Sequence, residues 1–209
     1  GHWPAAWHPV LQQAPAGRLG GLWGLAGGIP LFGDGSGWSP VPLPNAVPAL
    51  ALDVGVDGAV FALGGGALYS LDASGSSWTA AATTSLALQD LSIGSSSFVW
   101  ARDSQGAVYR FDAGGGGFTP VNLGSAASDI KANADGTLWH CNGGQGSVYR
   151  YLVGGSQPSE SINIGQGVTG VQRATSSGFG TGLFLADQNG LAVLIGYRSP
   201  YVFKTANAY

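Results

Sequence analysis

The sequence contains no methionine, one cysteine and one glutamate, and only 9% of its 209 residues are charged. A lone cysteine, Cys141, excludes an intrachain disulfide. It reads as a small strand residue and not a nucleophile, because nothing beside it in sequence would lower its pKa. The three histidines, His2, His8 and His140, lack metal-ligand spacing, so no metal or other cofactor is implied. His140 follows Trp139 and is expected to face the surface. Apart from Glu160, the acids are ten aspartates, mostly in turn-like segments. No pair of acids stands out for glycoside hydrolysis, and no G-x-S-x-G elbow occurs. The chain is therefore not expected to be an enzyme. The eight Lys and Arg are scattered and the net charge is −3, so the basic stripe that nucleic acid requires is missing. No apolar run reaches the roughly 18 residues needed to span a membrane as a helix. Gly1-His2 reads as either a processed start or an appended remnant.

Glycine is abundant, with 37 residues, but it has no three-residue period, which excludes a collagen-like chain. Seven Trp, seven Tyr and eight Phe in regular positions argue against disorder. No stretch keeps apolar residues at helical spacing without meeting Gly or Pro, so almost no helix is expected.

The main signal is an internal repeat. Trp23, Phe61, Trp100, Trp139 and Phe184 each sit in a short apolar run, spaced 38, 39, 39 and 45 residues apart. Each is followed by a Gly-bearing turn and a second run, best seen as Ala67–Leu71, Ala107–Phe111 and Ser147–Tyr151. A loop and an aromatic-led strand come next, at Trp38, Trp78 and Phe118, with Trp7 and Tyr201 as terminal candidates. Each unit reads as inner strand, aromatic strand, Tyr strand and outer strand. A period near 40 is that of a four-stranded propeller blade. One such sheet cannot bury both its faces, whereas sheets stacked around an axis can. The expected fold is all-β: a single domain over 1–209, a propeller of about five four-stranded blades, closed by pairing of terminal strands. Six blades, one of them weak or split, is the alternative.

Two units carry a family resemblance. They run Leu88–Gly94, Val99-Trp100-Ala101, Val108–Phe111 and Phe118–Val121, then Ser128–Ala132, Asp135–Trp139 and Val148–Tyr151. This pattern resembles the tectonin repeat, well over 78–151 and less closely over 38–77. The resemblance implies a propeller of five to seven blades. It also implies a lectin activity on surface glycans, some of them methylated sugars or lipopolysaccharide. The last two units lack the Trp opening, which weakens any glycan site there.

On that reading the glycan-binding residues would be the outer aromatics Trp38, Trp78 and Phe118, the register-matched Arg110 and Arg150, and the turn residues Asp103, Asn142 and Asn189. Aromatic faces stack on sugar C–H groups, and nearby polar groups fix the hydroxyls. The competing reading makes the aromatics wedges between blades, the arginines a solvated face and the Asp and Asn simple turn formers. Trp23, Phe61, Trp100 and Trp139 are expected in the core. Period-two alternation should point Arg110 and Arg150 away from Tyr109 and Tyr149. The expected partners are glycans or glycoconjugates on cell surfaces, engaged by several weak sites through avidity. A homo-oligomer stays open, and secretion is favoured over cytoplasmic storage. The alternative function is a non-catalytic protein-interaction propeller. An enzyme would instead need unmatched polar residues, such as His140, Arg18, Arg173 and Lys131, to converge in a central channel.

Overall fold

The computed structural model describes residues 22–142, 147–152, 160–163, 171–176, 182–187 and 192–196. Among them, strands follow one another in chain order and form five antiparallel sheets. The first holds β1 (Leu22–Ala26), β2 (Ile29–Gly33) and β3 (Trp38–Pro40). The second holds β4 (Ala49–Val54), β5 (Val60–Gly64), β6 (Ala67–Leu71) and β7 (Trp78–Thr83). The third holds β8 (Leu88–Ser95), β9 (Phe98–Asp103), β10 (Val108–Asp112) and β11 (Gly117–Val121). The fourth holds β12 (Asp129–Ala132), β13 (Leu138–Cys141), β14 (Ser147–Tyr151) and β15 (Glu160–Asn163). The fifth holds β16 (Val171–Ser176), β17 (Gly182–Asp187) and β18 (Ala192–Gly196). Among the described residues the only helical element is one 3-10 turn, Pro44–Ala46.

The repeat in the sequence is thus a repeat of one sheet, and its register is the same each time. Phe61 pairs with Asp53 and Ser70, Trp100 with Ser92 and Arg110, and Trp139 with Lys131 and Arg150. Trp23 pairs with Phe32 at the matching place in the first sheet. The strands that were expected to close a ring, at Trp7 and Tyr201, lie outside the described residues.

The central strands of the second, third and fourth sheets bury side chains on both faces, and the packing between sheets is the core. Trp23, Leu52, Val54, Val60 and Trp78 cluster between the first two sheets. Phe61, Leu63, Ile93 and Phe111 cluster between the second and third. Trp100, Val108, Ile130 and Leu138 cluster between the third and fourth. The four aromatics expected in the core are all buried. On the inner side β4 lies beside β8, β8 beside β12 and β12 beside β16. Close approach there demands glycine: a Cβ on Gly94 would run into the Asn133 carbonyl.

His140 is a correction. It is 0% exposed, because β13 is an interior strand packed on both faces, and its ring stacks on Tyr149 at 5.0 Å. Burial pushes its pKa down to about 4, so it is neutral at ordinary pH.

Candidate functional site

The register lines up equivalent positions in successive clefts between sheets, and the side chains there decide whether a cleft is closed. In the first cleft Trp23 meets Phe32 at 5.3 Å and the edge of Trp78 at 6.1 Å. The Trp78 Nε1 donates to the Val41 carbonyl at 2.8 Å, which satisfies its buried N–H. Trp78 is only 8% exposed and acts as a wedge between sheets. In the third cleft Trp100 packs edge-on against Tyr151 at 5.6 Å. The Arg110 guanidinium lies 5.5 Å from the Phe98 ring centre and 6.0 Å from that of Trp100, at cation–π distance.

The second cleft is different. Phe111 and Phe118 pack together at 5.6 Å against the cluster around Phe61. Ala59 and Ser70 stand one repeat before Phe98 and Arg110, and they are too small to fill the same space. A cavity of about 250 Å³ results at the end of the second sheet, lined by Ala59, Val60, Phe61, Ser70 and Asp72 of that sheet and its turns, by Ser96 of the third sheet and by Trp23 of the first.

The electrostatics around this pocket are one-sided. Asp72 accepts hydrogen bonds from the Ser74 hydroxyl (2.8 Å) and the Ser76 N–H (3.1 Å). The Ser74 hydroxyl, followed by the Ser76 N–H, holds its pKa below the ordinary carboxylate value. Asp57 sits beside the cavity and accepts from the N–H groups of Ala59 (3.2 Å) and Ser96 (2.9 Å). Partial burial works upward on its carboxyl, but the donors of Ser96 and Ala59 outweigh it and the pKa is lowered. Residues 22–101 contain five aspartates (34, 53, 57, 72 and 90) and no Lys, Arg or His.

The inner strands carry a second repeated set. Asp53, Ser92 and Lys131 recur every 39 residues. Asp53 accepts from the Ile93 N–H at 2.8 Å, and the Ser92 hydroxyl accepts from the Ala132 N–H at 2.8 Å, so each clips its sheet to the next. Lys131 cannot accept; its Nζ reaches back to Asp53 at 3.2 Å. Burial pushes the Asp53 pKa up, opposed by the Lys131 charge and the Ile93 and Val54 N–H groups. Lys131 is thus paired with Asp53 in the interior, and not with His140. Arg18 and the Arg173 side chain lie outside the described residues.

The remaining sequence candidates do not gather at one place. Trp38 lies on the outer strand of the first sheet, 39% exposed, with its ring over Gly33 and Gly24. Arg110 and Arg150 do point away from the neighbouring tyrosines; Arg150 lies 6.0 Å from the Trp139 ring centre. Asp103 shapes its turn by accepting the Gln105 and Ala107 N–H groups, both at 2.9 Å, and takes the Tyr109 hydroxyl at 3.2 Å. Asn142 repeats the contact one sheet on, its Nδ2 donating to the Tyr149 hydroxyl at 3.4 Å. Asn189 lies outside the described residues. Among the described residues no three His, Cys, Asp or Glu could hold a metal together. Burial raises the Cys141 thiol to about 11, which makes it a poor nucleophile. The pocket residues Ala59, Ser70, Asp72 and Ser96 were not anticipated. The available signal was negative: small residues where the neighbouring repeats are large.

No family model matches the chain, and no curated protein matches it in sequence. Solved structures do match in shape. One is YCF48 bound to a D1 peptide: 20% identity, TM-score 0.62, covering 83% of this chain and 60% of that one. Another is a catalytically inactive virginiamycin B lyase from Staphylococcus aureus with quinupristin: 14% identity, TM-score 0.67, covering 93% and 68%. A third is a chain of a nidogen/laminin complex: 12% identity, TM-score 0.64, covering 84% and 73%. The chain thus spans 60% of the length of the YCF48 protein it resembles. None of the three is a tectonin or a lectin. At these identities the likeness carries fold alone: an all-β architecture of the β-propeller kind.

Proposed function

We propose that this chain is a non-catalytic protein-interaction module that takes up a short segment of a partner at the pocket at the end of its second sheet, where Ser96 of the third sheet and Trp23 of the first complete the wall. The pocket carries the reading. It has apolar walls with a few polar groups, the composition of recognition sites. At about 250 Å³ it lies below the ~300–1,000 Å³ of sites for drug-sized ligands and suits a single side chain of a longer segment. Propeller-like neighbours in complex with a D1 peptide and in a nidogen/laminin complex support the same use of the fold. The multivalent glycan reading draws less support. Of its three outer aromatics, Trp78 is spent as a wedge and Phe118 is half-buried in the second cleft, so the described residues offer no repeated set of open stacking faces.

The test is peptide selection by display on the immobilised protein, with a glycan array in parallel. The selected peptides are then titrated against wild type and Ser70→Phe, which puts the first sheet's Phe32 into the equivalent place. Weakening by at least about tenfold in the variant, with the melting temperature kept, is expected. Binding to glycans with no peptide selected would overturn the reading in favour of a lectin.

A further inference from the structure

We infer that this pocket takes a cationic side chain, the lysine or arginine of a basic peptide segment. The inference rests on the peptide-binding reading and adds the chemistry of the bound group. Its first support is internal. One repeat later, the position of Ser70 is occupied by Arg110, whose guanidinium lies over Phe98 and Trp100. The third cleft therefore fills itself with an arginine at a register where the second cleft is open. A partner's cation would supply in the second cleft what the chain supplies for itself in the third.

The second support is charge complementarity. Five carboxylates lie between residues 22 and 101, with no cation among them. Two are met by cations from later in the chain: Asp53 by Lys131 of the fourth sheet and Asp90 by Arg102 of its own sheet, each at 3.2 Å. Asp57 and Asp72, which flank the pocket, have no ion-pair partner among the described residues. Their hydrogen bonds come from neutral hydroxyl and N–H groups, which keep them ionised without neutralising them. An anionic ligand would meet an uncompensated negative field there, and a cation would be drawn in. Ala59, Val60, Phe61 and Leu71 offer apolar wall to the methylene stem of Lys or Arg, while the charged head stays near Asp72.

The probes are four terminally blocked amino acids, those of arginine, lysine, norleucine and glutamate, titrated into 15N-labelled protein. The amides followed are those of Ala59, Ser70, Asp72 and Ser96. Arginine and lysine should shift these amides and norleucine should bind at least about tenfold more weakly. The shifts should fade with added salt and be lost in Asp72→Asn. Ser70→Arg, which copies the third cleft, should abolish binding while the fold is kept, as judged by the remaining amide spectrum. Norleucine or glutamate binding as well as arginine would overturn the inference and leave a peptide pocket in place. So would a display-selected peptide that shifts these amides when none of the four compounds does. If neither compounds nor peptides bind, the pocket reading itself falls.

Discussion

The second and third clefts stand on the same backbone positions one repeat apart, and they differ in what Ala59 and Ser70 become: Phe98 and Arg110. That exchange turns a cavity into a filled interface. The first cleft reaches closure by another route, through Phe32 and the wedge of Trp78. Sheets that share one strand register can have the space between them filled by side chains or left open. In a repeat protein, a departure from the repeat is therefore where a binding site should be sought.

The largest expected effect concerns the closed cleft. Trp78→Ala should cost about 3–5 kcal/mol, since it removes a buried ring and orphans the Val41 carbonyl. Trp38→Ala, on the exposed outer strand, should cost about 1 kcal/mol or less. Urea denaturation of both variants measures the contrast, and equal losses would mean that the two outer aromatics play the same part.

A second effect separates the fourth sheet from the second and third, where Ala62 and Ala101 hold the position of His140. The folded pKa of His140, about 4, lies below its ordinary 6.5. Stability is therefore fully present above pH 6.5 and is lost as the pH falls towards 4, because the unfolded chain takes up the proton first. The slope is at most about 1.4 kcal/mol per pH unit, or roughly 3 kcal/mol over the window. His140→Ala should flatten it, and denaturation at a series of pH values would show an unchanged slope if another group were responsible.

The smallest expected change is the direct conversion of one cleft into the other. Phe98→Ala with Arg110→Ser should cost about 2–3 kcal/mol, less than full core truncation because both residues are half-buried. It should also open a new cavity beside Trp100. A tryptophan emission spectrum shifted towards that of solvated indole would report the opening; an unshifted spectrum would mean that the cleft collapses when emptied.

Much of the fold was legible. The aromatics at a period near 39 placed the strands, because alternation and turn residues act locally. The same alternation set Arg110 and Arg150 opposite Tyr109 and Tyr149. Other features were not legible. His140 looked exposed beside Trp139, since sequence cannot say that both faces of β13 are covered. Lys131 looked unmatched because its partner Asp53 lies 78 residues away. Trp38 and Trp78 open equivalent strands, yet one is half in solvent and the other is a wedge. That difference depends on which sheet stands beside each.

The strand, the turn and the period can be read from the order of residues alone, because they follow from spacing within about 40 residues. The charge asymmetry can be read there too, since it is a matter of counting. Packing between the sheets was needed to show that Ala59 and Ser70 leave a cavity, that Asp72 lines it with Asp57 bonded to its wall residues Ala59 and Ser96, and that Lys131 is committed to Asp53. Each of these depends on the distance between sheets, and that distance is set by side chains packing across the clefts, which no local pattern records.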